Sequence, residues 1–280
     1  MKKLRYPAIL QIFSVLAVFG LKRGLAEGAY FSLYYAVLFG HFLIAFYYSG
    51  GTLRGLLGSR RMSPGFAVLM FAAAALSLWG TVPVLVSVVG LHNALSEAYA
   101  PDALGIRNGR SAALRFALSV SVYFGLVSGV PVLALSIALL AALCFAEREL
   151  RASERIARVL GDGLGVALLA LLPPRSVTFQ DAVFYHCVYW FLFGAVRAAS
   201  EAPGRPLPRY LAVTGAVTLA CLSATPWLKW VPEVGYREWS ILTTKAGFIH
   251  IVLALGLSRA NPGWVYRLFA PIEAVASPQR

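Results

Sequence analysis

The sequence predicts an all-α protein, a polytopic integral membrane helix bundle that forms a single transmembrane domain over residues 1–280. Two observations lead to this prediction. Of the 280 residues, 59% are hydrophobic and only 13% are charged. The apolar residues also fall into stretches that recur along the whole chain, separated by glycine and proline, instead of forming one core. We therefore expect about ten transmembrane helices.

The positions of these helices follow from the apolar stretches and the breaks between them. The predicted helices lie near residues 6–21, 28–48, 65–80, 82–99, 111–128, 131–146, 161–173, 180–196, 210–225 and 240–258. Several are shorter than the roughly 20 residues that a perpendicular span needs. The segment 147–160 is charged and offers i to i+4 pairs such as Glu147 with Arg151, so we expect a solvated cytoplasmic connection there.

The distribution of basic residues predicts the orientation. With a cytoplasmic N-terminus, ten helices place 18 of the 25 Lys and Arg residues on the cytoplasmic side and five on the other, while Arg115 and Lys245 lie within helices. This bias indicates that both termini are cytoplasmic, in the manner of a bacterial inner (plasma) membrane protein. The net charge of +13 is then explained by loops beside anionic membrane lipids, and no nucleic-acid partner is expected. Nothing in the sequence names a protein partner.

Four histidines are the main functional signal. They are the only histidines in the chain, and each lies in a separate apolar stretch: His41, His92, His186 and His250. Their helices are all predicted to run from outside to inside. Counted back from each cytoplasmic end, they lie seven to ten residues deep, which at about 1.5 Å per residue puts them within roughly 5 Å of one level. Ionisable residues at membrane depth usually mark a working site.

We expect these four histidines to hold a transition metal, with non-haem Fe(II) favoured. Imidazole suits iron, copper, zinc or nickel, and helix bundles gather inward-facing ligands around metals. Haem is an alternative, although two bis-histidine haems would place their ligand pairs at two depths. A third interpretation makes the histidines hydrogen-bonding struts between helices.

Two polar residues accompany His92 on its helix. Asn93 and Glu97 are four residues apart, share a helical face, and lie about 100° around the helix from His92. They are the candidate catalytic residues, because Glu97 in this position orients a ligand or carries a proton. The alternative is that Glu97 pairs with Arg107 or Arg110 near the cytoplasmic end of the helix.

The segment GLHNALSE at 90–97 resembles a glycine-leucine-proline-histidine-glycine-alanine-leucine-aspartate motif of the bacterial Brp/Blh carotene oxygenases. Those are membrane proteins similar in holding iron with histidines alone. The resemblance covers about eight residues. It lacks the proline before the histidine, and the chain has no closely spaced second pair of histidines, so the segment does not assign the chain to that family.

The sequence thus favours a membrane metalloenzyme that oxidises or isomerises a lipid or isoprenoid. Aromatic side chains crowd around His41 and His186 and are suited to a hydrophobic small-molecule substrate. No hydrolase elbow, P-loop, HExxH or clustered HxxHH motif is present, and the three cysteines have no metal-binding spacing. The alternatives are a haem-carrying electron-transfer protein and a lipid-binding or transport protein with structural histidines.

Overall fold

The computed structural model describes residues 6–58, 64–103, 111–148, 152–201, 206–229, 245–251 and 254. All regular structure in these ranges is helical, which confirms the all-α prediction. The helices are α1 (Tyr6–Gly24), α2 (Glu27–Gly58), α3 (Pro64–Trp79), α4 (Val82–Ala103), α5 (Ser111–Ser128), α6 (Leu133–Ala146), α7 (Ala152–Leu171), α8 (Phe179–Glu201), α9 (Pro206–Lys229) and α10 (residues 245–251).

Five helices are long and apolar enough to cross a membrane, and they place the chain among membrane proteins. These segments are Pro7–Gly24, Glu27–Tyr48, Ser111–Ser128, Phe179–Ala199 and Pro206–Ala224. Shorter apolar helices lie at Pro64–Trp79, Leu133–Ala146 and Val159–Leu171. Helix α4 is 22 residues long, but its polar residues His92, Asn93 and Glu97 lower its mean hydropathy. The full count of ten spans stays a prediction.

Glycines allow several helices to approach closely. Gly90 of α4 lies against the ring of Tyr123 on α5, and Gly161 of α7 lies against Ala8 of α1, each at a separation that leaves no room for a Cβ atom. The Tyr123 hydroxyl donates a hydrogen bond to the Val86 carbonyl at 3.1 Å. Small residues at helix crossings are a common way to pack helices in membranes, where there is no hydrophobic driving force between them.

The largest buried apolar cluster is built mainly from α2, α4, α8 and α10. These are the four helices that carry the histidines. Together with Val18 of α1, its buried members are Tyr30, Tyr34, Val37, Leu38, Phe42, Leu85, Val89, Val183, Phe184, Cys187, Phe248 and Ile251. The helices that were expected to bring the histidines together therefore do share one core.

A buried group of three charged side chains connects α5, α7 and the end of α6. The Arg115 guanidinium donates from Nη2 to Glu147 at 2.9 Å and from Nε to Asp162 at 3.0 Å. All three side chains are at most 6% exposed. Glu147 was expected in a solvated connection with Arg151; it is instead buried, and Arg151 lies outside the described residues. The helix that follows begins at Ala152, so much of segment 147–160 is the first part of α7.

Asp181 stabilises the start of α8, as its position in the sequence indicates. The Thr178 backbone N–H donates to its carboxylate at 2.9 Å, and the Asp181 N–H donates to the Thr178 hydroxyl at 3.2 Å. This reciprocal pair is a capping box, which satisfies backbone donors that a helix start leaves unpaired. The same carboxylate accepts a hydrogen bond from the Tyr30 hydroxyl at 2.7 Å and pairs with Lys22. Three helices therefore meet at Asp181.

Candidate functional site

The four histidine rings come together in one cluster. Going around it, the ring centroids of His41 and His186 are 5.6 Å apart, and those of His186 and His92 are 5.1 Å apart. His92 and His250 follow at 6.0 Å, and His250 returns to His41 at 4.9 Å. Each ring comes from a different helix, so four segments distant in the sequence supply one site.

The cluster is buried, and several of its nitrogen atoms have no hydrogen-bond partner. His186 and His250 are 4% and 6% exposed, and His41 and His92 are partly buried. Among the described residues, neither Nδ1 nor Nε2 of His186 has a partner, and Nε2 of His41 also has none. A buried polar atom without a partner costs about 1–3 kcal/mol, so such atoms call for an explanation.

A cavity of about 130 Å³ lies against the histidines, and each helix presents equivalent positions to it. The residue three positions before the histidine lines the cavity on each of the four helices: Leu38, Val89, Val183 and Gly247. The residue directly after each histidine also lines the cavity: Phe42, Asn93, Cys187 and Ile251. Positions three residues apart share one face of a helix. The four helices therefore turn the same face inward.

The lining residues also show the direction in which the cavity extends. On α2, α4 and α8, residues seven positions before the histidine reach the cavity: Tyr34, Leu85 and Phe179. Among the described residues, no lining residue lies more than one position after a histidine. The cavity therefore runs from the histidines toward the beginning of each helix. On α2, α4 and α8 the lining residues thus lie on the same side of the histidine along the chain, while the predicted topology stays a prediction.

Aromatic rings lie on the other side of the cluster. Trp190 follows His186 by one helical turn, with ring centroids 6.2 Å apart. The Phe191 ring is 6.0 Å from the ring of His41. These rings cover the side of the histidines that faces away from the cavity. Access from within the bundle is thus one-sided in the part of the chain that the structure describes.

The spacing of the rings is compatible with a shared metal ion. Imidazole nitrogens at about 2.1 Å from an ion, arranged as a tetrahedron, set neighbouring ring centroids about 5 Å apart. The four centroid distances of 4.9–6.0 Å surround this value. However, no set of three or more His, Cys, Asp or Glu side chains in the described ranges is already arranged to hold an ion. The imidazoles would have to turn their nitrogens toward one point.

The two other candidate residues, Asn93 and Glu97, lie at different cavities. Asn93 is 5% exposed and lines the histidine cavity. Glu97 instead lines a second cavity, where Tyr185 and Gln11 donate hydrogen bonds to its carboxylate. Its alternative partners, Arg107 and Arg110, lie outside the described residues. Asn93 and Glu97 were both expected about 100° around α4 from His92, and of the two it is Glu97 that the lining of the histidine cavity does not include.

The fold and the site define a class: a helical membrane protein with a buried cluster of four histidines. The chain matches no protein-family model, and no curated protein or solved structure is significantly similar to it. The function is therefore inferred from the geometry of the site alone.

Proposed function

We propose that this protein is a membrane metalloenzyme whose metal, non-haem Fe(II), is held by His41, His92, His186 and His250. Its proposed reaction is the oxidation of a lipid or isoprenoid, with dioxygen as the oxidant. The main support for this proposal is the convergence of four imidazoles from four helices, with centroid distances of 4.9–6.0 Å. Bound there, the ion would supply the redox chemistry, and imidazole is among the ligands that iron accepts.

The unpartnered nitrogens support a ligand role over a structural one. A strut between helices makes hydrogen bonds, and these are what stabilise polar side chains inside membranes. His186 has both ring nitrogens buried without a partner in the described part of the chain. A histidine in that state destabilises an apo protein, whereas a metal ion satisfies one of the two nitrogens.

The cavity supports an apolar, elongated substrate. Its walls are formed mostly by aliphatic and aromatic side chains, including Leu85, Val183 and Phe179. A volume of about 130 Å³ admits a short section of a hydrocarbon chain at a time. A porphyrin is a rigid plane that must fit as a whole, and pockets for molecules of that size span roughly 300–1,000 Å³. The cavity therefore favours non-haem iron over the haem alternative.

Asn93 and Glu97 complete the proposal. Asn93 lies at the histidine cavity, where we assign it to orienting the substrate or a ligand. Glu97, one turn further along α4, would hold a proton for the reaction. We further propose that ten helices span a bacterial inner membrane with both termini in the cytoplasm. In that orientation the histidine cavity extends from the cluster toward the outer leaflet.

Metal analysis of the purified protein tests this proposal. The protein is purified in a neutral detergent under anaerobic conditions with Fe(II), and bound metal is counted per chain. We expect about one iron per wild-type chain and less than a tenth of that after His92→Ala with His186→Ala. Thr218→Val is the matched control, because Thr218 Oγ1 is also buried without a partner among the described residues but is absent from the residues that line the cavity.

Two results would overturn the proposal. One is a wild-type protein with no stoichiometric transition metal, and the other is full metal occupancy in the double histidine variant. An absorption spectrum of the same sample tests the alternative, since a Soret band would identify a haem protein. Unchanged metal content together with loss of thermal stability in each single histidine variant would favour structural histidines.

A further inference from the structure

A second cavity of about 140 Å³ lies between α1, α4, α5, α7 and α8. Most of its wall is aliphatic, with residues such as Val122, Leu126 and Leu168. Its polar lining includes Glu97, Asn93 and Asp162. Asn93 is the residue common to this cavity and the histidine cavity. The second cavity is therefore a neighbour of the histidine site with a different chemical character.

The charges that line this cavity are not balanced. Three carboxylates reach it: Glu97, Asp162 and Asp181. Asp162 is paired with Arg115, and Asp181 is paired with Lys22. Within the described ranges, Glu97 receives hydrogen bonds from two neutral groups, the Tyr185 hydroxyl and the Gln11 amide. Among the described residues, no cation is paired with Glu97.

A second hydrogen-bond acceptor at this cavity also favours an occupant that carries donors. Asn93 precedes Glu97 by one helical turn on the same face of α4 and is 5% exposed. Its Oδ1 atom is buried and has no hydrogen-bond partner among the described residues. In the part of the chain that the structure describes, a carboxylate without a cation and an amide oxygen without a donor thus line one cavity. An occupant that carries positive charge and several N–H donors would satisfy both.

We propose that this cavity binds a small protonated amine with an apolar body about the size of one six-membered ring. The ammonium donates hydrogen bonds to Glu97 and Asn93, and the ring packs against the aliphatic wall of α5 and α7. The size follows from the volume, since an apolar cavity of about 150 Å³ holds a benzene molecule. This proposal does not depend on metal binding by the histidines.

Binding of the amine competes with a proton on Glu97. A carboxylate buried without a cation is costly, so a proton neutralises it when the amine is absent. The groups that face Glu97 are Tyr185 and Tyr189 of α8, Asp162 of α7 and Gln11 of α1. Because Asp162 already pairs with Arg115, Glu97 is the carboxylate that gives up a proton to the solvent as the ammonium enters.

The experiment compares two probes that differ in one group. 4-Fluorobenzylamine carries the ammonium, and 4-fluorobenzyl alcohol carries a neutral hydroxyl on the same ring. Binding of each to the full-length protein in a neutral detergent at pH 7 is followed by fluorine NMR. We expect saturable binding of the amine at least tenfold tighter than that of the alcohol. We also expect proton release on amine binding in weakly buffered solution.

Three variants make the result specific. Glu97→Gln should weaken amine binding at least tenfold and abolish the proton release, while alcohol binding changes little. Glu27→Gln is the matched control, since Glu27 is an exposed carboxylate at the start of α2, and it should bind the amine like the wild type. Val122→Phe leaves every carboxylate in place but fills the cavity, so it should abolish binding of both probes.

Equal binding of the two probes would overturn the proposal, and so would an amine preference that persists in Glu97→Gln. The proposal would also be overturned if neither probe bound saturably to a folded wild-type protein, since the cavity would then hold only water. The variant with His92→Ala and His186→Ala separates this proposal from the metal site. It should lose metal and keep the preference for the amine.

Discussion

His41 and His250 lie with their ring centroids 4.9 Å apart, although they belong to helices near opposite ends of the chain. The Phe42 ring lies beside them, with its centroid 4.6 Å from that of His250. The contact means that α10 returns to α2 and completes the histidine cluster. Any change that displaces α10 should therefore alter the site as well as the packing.

Filling the histidine cavity should slow access to the metal without removing its ligands. Val89 precedes His92 by three residues, is 7% exposed and lines the cavity. Val89→Phe places a larger ring in that space. We expect unchanged iron content and at least tenfold slower removal of iron by a membrane-soluble chelator. Leu91→Phe, on the exposed face of the same helix, is the control and should be stripped at the wild-type rate, and equal rates for both variants would contradict the one-sided access.

Removing the buried cation of α5 should be severely destabilising. Arg115→Leu leaves Glu147 and Asp162 buried without their cation, and breaking a buried ion pair in this way costs about 3–5 kcal/mol. Denaturant titration in mixed micelles measures the free energy of unfolding. Adding Glu147→Gln and Asp162→Asn to Arg115→Leu should recover part of the loss, because two buried negative charges are then removed. A single variant as stable as the triple variant would refute this account.

The close approach of α4 and α5 should depend on Gly90. A Cβ atom at this position would overlap the ring of Tyr123, which is held by its hydrogen bond to Val86. We expect Gly90→Ala to lower the free energy of unfolding by about 1–3 kcal/mol, the usual cost of overpacking. Gly215→Ala on α9 is the matched control, because nothing lies within 4 Å of its Cβ position. The interpretation fails if the two variants unfold at the same temperature.

The two partners of the ion pair at the start of α8 should contribute unequally. Asp181→Ala leaves the donors of Tyr30 and Thr178 without their acceptor, so we expect a loss of about 1–3 kcal/mol. The Lys22 side chain is 37% exposed, and Lys22→Ala should cost less than Asp181→Ala, because Asp181 keeps its hydrogen bonds from Tyr30 and Thr178. Thermal unfolding followed by circular dichroism ranks the two variants. Equal losses of stability in the two variants would show that the ion pair, and not the hydrogen-bond network, stabilises the start of α8.

Much of the fold was predictable because membrane helices have a strong sequence signal. The predicted boundaries of helices such as 65–80 and 111–128 differ from α3 and α5 by at most one residue. The convergence of the histidines was also predictable. Alternating helix direction fixes which residues share a level, and His41, His92, His186 and His250 are polar exceptions within apolar stretches.

The lateral packing of helices was not predictable from one sequence. Arg115, Glu147 and Asp162 belong to α5, the end of α6 and α7, and nothing in their spacing pairs them. The second cavity depends in the same way on five helices meeting around Glu97. Hydropathy and charge bias determine depth and direction, but they carry no information on which helices become neighbours.

The four histidine helices line the cavity with equivalent positions, and this has a consequence for how a molecule in the bilayer would reach the histidines. As lined by the described residues, the cavity extends toward the beginnings of these helices, while Trp190 and Phe191 lie on the opposite side. If the proposed function is correct, a reactant that dissolves in the membrane would reach the histidines from a single leaflet, and the product would leave into that leaflet. The arrangement of one helix face would thus be enough to make the proposed reaction open to one side of the membrane.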